Sequence, residues 1–298
     1  MRALPDAAEV PAPAKTNLFL RILAREEGGY HALETLFCAL SLADTVAVRR
    51  GAPGVRLHEA GGVDTGPPER NLCVRAASRF YAALGEAPAI DIHLTKRIPS
   101  AAGLGGGSSD CAAALRALNA LHGEPLDRAA LLQMAIELGS DVPFFLCGSS
   151  LALAWGRGER LLALPALPPR PVLVAHPGIA MPTADAFRRI AERRGGGYVP
   201  QARSIPADAL RGWESVAALA ENDFEEVVME EIPILRDALE AMRAAGATVA
   251  RMAGSGSSVF GVFTDDAARD AAAERVRALG MRCWEARTLD EEPAVRVG

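Results

Sequence analysis

Lys96-Arg97-Ile98-Pro99-Ser100-Ala101-Ala102-Gly103-Leu104-Gly105-Gly106-Gly107-Ser108-Ser109-Asp110 sets four glycines directly before a helix-forming run, Ser108–Leu121, that opens on two serines and that Gly123 and Pro125 stop. Glycine lets a backbone approach a ligand closely and take positive φ. A helix start adds unpaired N–H groups and the positive end of the helix dipole, so the stretch reads as an anion cradle. Two familiar phosphate loops are excluded. No lysine follows the glycines, as GxxxxGK[ST] requires, and the last glycine of GxGxxG falls on Ser108. Cationic help for the cradle must therefore come from elsewhere. The competing reading is a flexible connector, which a strong helix start immediately after the glycines argues against.

Outward from the loop, Ala89–Lys96 alternates with Ile90, Ile92 and Leu94 on one face and predicts a strand. Residues 15–23 alternate as well, placing Lys15 and Asn17 on the same face about one pleat apart. Ala39–Arg49 and Val55–Glu59 read as further strands, Asn71–Leu84 as an amphipathic helix ended by Gly85, and Arg128–Leu138 as a helix capped by Asp127. The ten or so residues before the first strand receive no role. Leu164–Pro171 holds four prolines and reads as the boundary between domains 1–165 and 166–298. Beyond it the pattern predicts a strand at Val172–His176, a helix at Thr183–Arg193, a flexible Gly195–Gly197 stretch, and helices at Ser215–Val228 and Ile234–Ala245. A strand at Thr248–Met252, a small-residue loop, a strand at Val259–Phe263, a helix at Asp266–Leu279 and a strand at Arg282–Arg287 complete it. Strands and helices interleave without a regular βα repeat, which predicts a two-domain α+β protein.

Composition narrows the function. The chain has 298 residues, half of them hydrophobic, and a net charge of −5. Acids and arginines are mixed along it and aromatics make up 5%, which argues against a nucleic-acid partner. No apolar run is long enough for a membrane span, and Met1–Asp6 lacks a signal-peptide layout. Five cysteines, odd in number and without a CxxC pair, point to a reducing, cytoplasmic setting. Of 32 basic residues only Lys15 and Lys96 are lysine. Either these two survived by chance, or they stand where a compact point charge is needed and a planar guanidinium does not fit.

Other positions have two readings each. Asp141, before Val142-Pro143, suits a helix N-cap and also suits a carboxylate that takes a hydroxyl proton. Lys15 is either a surface lysine at a strand start or the partner of that carboxylate. Tyr30-His31 after Gly28-Gly29 is either structural or a base-stacking pair. Gly254-Ser255-Gly256-Ser257-Ser258 is either a hairpin turn or a second glycine loop closing over phosphates.

Together, Pro13-Ala14-Lys15-Thr16-Asn17-Leu18, the loop Pro99–Ser109 and Met252-Ala253-Gly254-Ser255-Gly256-Ser257 resemble, in order and spacing, the three motifs of the GHMP kinase superfamily. Gly29-Tyr30-His31-Ala32-Leu33-Glu34-Thr35-Leu36-Phe37, Leu138–Phe145 and Gly156-Arg157-Gly158-Glu159 resemble the branch that phosphorylates the 2-hydroxyl of a cytidyl-capped methylerythritol in the non-mevalonate isoprenoid route. Homoserine-type and mevalonate-type kinases, and a non-catalytic ligand-sensing module on the same fold, are the alternatives. The resemblance implies an N-terminal domain like ribosomal protein S5 domain 2 and a ferredoxin-like C-terminal domain. It implies ATP as phosphoryl donor, a need for Mg²⁺ whose ligands no acidic cluster marks, and a monomer or homodimer. It makes Asp141 the general base and Lys15 its partner. ATP would be held by Pro99, Ala101, Ala102, Gly103, Leu104, Gly105, Gly106, Gly107, Ser108 and Ser109, with Asn71, Leu72 and Lys96 near the adenine. Asn17 would contact the polyol, Tyr30 and Phe187 would sandwich the cytosine, His31 would read its polar edge, and Thr183, in the stretch Pro182–Phe187 that carries Phe187, would also bind the substrate. Gly254, Ser255 and Gly256 would form the second loop. Thr16, Ser140 and Ala253 depart from the usual aliphatic residue, alanine and serine.

Overall fold

The computed structural model describes residues 4–25, 31–62, 65–195 and 205–298. Two long antiparallel strands, β1 (Ala7–Arg25) and β2 (His31–Arg50), organise the first sheet. β3 (Gly54–Ala60), α1 (Leu72–Leu84), β4 (Ala89–Thr95), α2 (Gly106–Leu121), α3 (Arg128–Leu138), β5 (Leu151–Gly156) and β6 (Arg160–Leu164) follow. β2 serves two neighbours. Its Leu33–Cys38 part pairs with β5 and its Thr45–Arg50 part pairs with β4, which in turn pairs in parallel with β3. Register shifts between Pro13 and Lys15 and between Asn17 and Leu20 bend β1 where it carries the site residues.

The second sheet is antiparallel, in the order β10-β7-β9-β8. It comprises β7 (Pro171–His176), β8 (Val249–Met252), β9 (Val259–Val262) and β10 (Arg282–Arg287), with α4 (Thr183–Arg193), α5 (Trp213–Leu219), α6 (Glu225–Glu231), α7 (Ile234–Ala244) and α8 (Asp266–Ala278) around it. A short β11 (Arg296–Val297) returns to pair with Ala8 and Glu9 of β1. The two-domain α+β expectation holds, and each sheet has its own core. A third buried group straddles them, packing Leu18, Phe19, Leu36 and Leu40 against Val174, Phe260 and Val262. Among the described residues no helix is long and apolar enough to cross a membrane.

Helix ends follow local chemistry. The Asn71 side chain accepts from Cys73 N–H (2.9 Å), Asp127 accepts from Ala130 N–H (2.8 Å), and Gly85 closes α1 at φ 68°. Several sequence expectations need correction. β1 starts at Ala7, not near Lys15. Pro11 and Pro13 hid it, yet both pair with β2, and β11 covers only Ala8 and Glu9, so their missing N–H groups interrupt no second ladder. His31 opens β2. β5 and β6 were not anticipated. The single helix expected over 215–228 is two, because Asn222 leaves the helix to bridge Leu20. Gly196, Gly197 and Tyr30 lie outside the described residues.

Candidate active site

α2 begins inside the glycine run, two residues earlier than expected. Gly105 is its N-cap at φ 70°, and no side chain caps this end. The first intrahelical bond runs from Ser109 N–H to Gly105 O (2.9 Å). Among the described residues, the N–H groups of Gly106, Gly107 and Ser108 are thus left at the mouth of a cleft of ≈ 600 Å³ that these three residues line. The glycines have separate physical duties. A Cβ on Gly103 (φ 77°) would lie 1.9 Å from the Ala253 carbonyl oxygen, and one on Gly105 would lie 2.8 Å from Lys15 Cγ. On Gly107 it would meet nothing nearer than 3.9 Å, so that glycine keeps the approach to the helix end open. Gly103→Ala combines a left-handed backbone with a clash against fixed backbone. It should cost about 2–4 kcal/mol in urea unfolding.

The second small-residue loop is both things the sequence left open. It is the turn of the β8–β9 hairpin, with Ala253 N–H donating to Ser258 O (2.8 Å), and it lines the cleft through Gly254 and Ser255. Asn222, which the sequence reading missed, fastens it by donating to Met252 O (2.7 Å) and Gly254 O (2.9 Å). Its only signal was an Asn-Asp pair interrupting a helical pattern. Ser258 N–H donates to Ala102 O (3.2 Å), so the two loops are docked. Gly256 does not line the cleft and packs towards Met252 and Val228.

Asn17 joins the first strand to this arrangement. Its Oδ1 accepts from Lys15 Nζ (3.0 Å) and from Gly254 N–H (3.0 Å), and its Nδ2 donates to Thr35 Oγ1 (2.7 Å). Thr35, also missed, donates its hydroxyl hydrogen bond to Phe19 O (2.6 Å). Lys15 is 4% exposed. Its ammonium stands 3.5 Å from Asp141 Oδ2 and 5.0 Å from the centre of the Phe37 ring.

Asp141 precedes a single 3₁₀ turn, Val142–Leu146, but caps nothing. Its backbone is already helical (φ −87°, ψ −15°), and its side chain makes no bond to that turn. A capping residue needs extended backbone to swing its oxygen back over the first N–H groups. The capping reading therefore fails. The carboxylate turns to Lys15 and remains 31% exposed at the cleft.

The other lysine has a different setting. Lys96 lines the cleft, but its ammonium is buried between the carboxylates of Asp44 and Asp110, the latter at 2.6 Å. Asp44 also accepts from the N–H groups of Arg97 and Ile98. Burial works against the Lys96 charge, but the attraction of Asp110 and Asp44 outweighs it and raises its pKa. Burial lifts Asp110 to about 7, with Lys96 pulling it back and Asp44 pushing it up. This cluster holds the start of the glycine loop from beneath. Lys96→Met strands two buried carboxylates and should cost about 3–5 kcal/mol, read from a shifted urea midpoint. Ser109 also faces away from the cleft, its hydroxyl buried and without a hydrogen-bond partner.

The remaining expected positions converge on the same place. Asn71 and Leu72 line the cleft at the start of α1, and Thr183, at the start of α4, bonds Ser255 Oγ (3.0 Å). A second cavity of ≈ 1150 Å³ adjoins it, lined in part by His31, Thr183 and Phe187. The His31 and Phe187 rings stack with centres 4.7 Å apart. Among the described residues no group of three or more His, Cys, Asp or Glu side chains is placed to hold a metal ion.

Residues 71–149 match the model of the GHMP kinases N terminal domain and residues 206–280 that of GHMP kinases C terminal. With the two docked loops and the uncapped helix, they define a GHMP kinase. The chain is 40% identical to a 4-diphosphocytidyl-2-C-methyl-D-erythritol kinase of Methylobacterium radiotolerans, covering 93% of this chain and 97% of the relative. It is 43% identical to the enzyme of the same name from Anaeromyxobacter dehalogenans, covering 95% and 91%. A crystal structure of 4-(cytidine 5'-diphospho)-2C-methyl-D-erythritol kinase, 40% identical, superposes with a TM-score of 0.77 over 94% of this chain and 98% of that one. A homoserine kinase from Cytophaga hutchinsonii, 22% identical, shares the fold with a TM-score of 0.75 over 99% of each chain. The chain belongs to the 4-diphosphocytidyl-2-C-methyl-D-erythritol kinase family.

Proposed function

We propose that this enzyme transfers the γ-phosphoryl group of ATP to the 2-hydroxyl of 4-diphosphocytidyl-2-C-methyl-D-erythritol, in the methylerythritol phosphate route to isoprenoid precursors. The observation that carries the chemistry is the Lys15–Asp141 pair, 3.5 Å apart, in the same cleft as an uncapped helix start. Asp141 takes the hydroxyl proton, the freed oxygen attacks the γ-phosphorus, and ADP leaves. Lys15 holds Asp141 in place and offsets the charge building on the attacking oxygen. The N–H groups of Gly106, Gly107 and Ser108 receive the phosphates. Asn17 has spent its oxygen on Lys15 and Gly254, so it meets the polyol only through its amide nitrogen.

Asn71 and Leu72 border the adenine, while Lys96 supports the loop instead of gripping the nucleotide. The cavity beside Phe187 and His31 takes the cytidine, whose base Tyr30 and Phe187 would sandwich. Mg²⁺ suits this site as a companion of ATP, since such ions keep mostly phosphate and water ligands. The Ser108 hydroxyl and the Asp141 carboxylate are oxygen donors lining the cleft. The ion would neutralise charge on the phosphates. We place the enzyme in the cytoplasm, as a monomer or homodimer, with its domains meeting near residue 165.

A panel assay with ATP, Mg²⁺ and the cytidyl substrate, mevalonate or homoserine tests this reading. Turnover of the cytidyl substrate alone is expected. Turnover of mevalonate or homoserine with none of the cytidyl substrate would overturn it.

A further inference from the structure

We infer that Asn222 is a positioning residue for phosphoryl transfer: reaching over from the C-terminal half of the chain, it sets the place of the Lys15 ammonium through the Gly254 backbone and Asn17. This rests on the roles proposed above for Lys15 and Asp141 and adds what keeps the lysine in place. A lysine is a point charge on a flexible four-carbon stem, so the contacts of its ammonium decide where it stands. Lys15 Nζ is closer to Asn17 Oδ1 (3.0 Å) than to Asp141 Oδ2 (3.5 Å).

Neither asparagine amide is free to turn over. Thr35 spends its hydroxyl hydrogen on Phe19 O, so it offers Asn17 Nδ2 only a lone pair, and Asn17 Oδ1 must face Lys15 and the Gly254 N–H. Buried Asn222 accepts from Phe224 N–H through Oδ1 (3.0 Å), which turns its nitrogen to Met252 O and Gly254 O and spends both hydrogens there. The peptide between those two carbonyls is the one whose N–H bonds Asn17.

The surroundings leave little slack. Glu225 holds the Met252 N–H (2.8 Å) at the end of β8, and Asn222 holds the Gly254 end. A Cβ on Gly254 would lie 2.8 Å from Gly103 O and 3.3 Å from Lys15 Nζ. Asn222 is itself fixed to the strand that carries Lys15. Leu20 N–H donates to Glu221 O (2.8 Å), Asp223 N–H to Leu20 O (3.1 Å) and Ile22 N–H to Asp223 Oδ2 (2.7 Å). The hydrogen bonds therefore run from β1 through Asn222, Gly254 and Asn17 to Lys15, back on β1. Without the Asn222 amide two buried carbonyls lose a donor, and the Gly254 peptide can turn away from Asn17.

The test is a double-mutant cycle in full-length enzyme between Asn222→Ala and Lys15→Met, run with ATP and the alcohol that the panel assay shows to be turned over. Asn222→Ala should lower kcat about tenfold or more, with both KM values within about twofold of wild type. In the Lys15→Met background the same change should move kcat by less than about twofold, because the group it positions is gone. A merely structural role would give the same fold-loss in both backgrounds. Urea unfolding checks that each variant is folded. Should the alanine variant fail there, Asn222→Ser replaces it, keeping an oxygen for Phe224 N–H while losing the two donations. An unchanged kcat in the Asn222 variant, whatever its KM, or an equal fold-loss in both backgrounds, overturns the inference. Lys15→Met as active as wild type removes Lys15 from the chemistry, and this inference with it.

Discussion

Asp141→Asn should lower kcat by about 10²-fold or more, the range of lost general-base catalysis. The amide has the shape of the carboxylate and can still meet Lys15, but it cannot accept the hydroxyl proton. Stability is the second readout. Asp141 makes no capping bond, so the urea midpoint should stay near wild type, whereas loss of a cap would cost about 1 kcal/mol. Steady-state kinetics and unfolding on the same preparation separate the two. An unchanged kcat would remove Asp141 from the chemistry and leave charge stabilisation by the helix start and Lys15 as the source of rate.

Lys15→Arg should be nearly as damaging, with kcat down by about 10²- to 10³-fold, although the charge is kept. The stem of Lys15 lies where a single carbon on Gly105 would be 2.8 Å from its Cγ, and the ammonium is within 3.5 Å of both Asn17 and Asp141. A guanidinium is longer and planar. It must displace Asp141 or the glycine loop, at an overpacking cost of about 1–3 kcal/mol. Lys15→Met, which removes the charge without the added bulk, separates lost electrostatics from lost geometry. Full activity in the arginine variant would show that position 15 supplies charge alone.

The scarcity of lysine did point to the cleft, but to two kinds of residue. Lys15 meets a carboxylate that is still open to solvent. Lys96 is sealed between Asp44 and Asp110, and nothing in the sequence paired it with Asp44, 52 residues away. Local patterns were legible where a local rule governs. Asp127 as a cap, Gly85 as a stop and Ile90, Ile92 and Leu94 facing inward all depend on neighbours within a few residues. The early start of β1 was not legible, because whether a strand tolerates Pro11 and Pro13 depends on which of its sides is left uncovered. Asp141 looked like a cap because sequence does not reveal that its own backbone has already turned helical.

The glycine loop, its missing lysine and the order of the three motifs were determined by sequence, because an anion cradle is a property of contiguous backbone. Only the tertiary structure decided that Gly103 exists to admit the Ala253 carbonyl and that Asn17 spends its oxygen on Lys15 and Gly254. Each of these is a contact between segments far apart in the chain, and such contacts exist only once the two sheets have packed against each other.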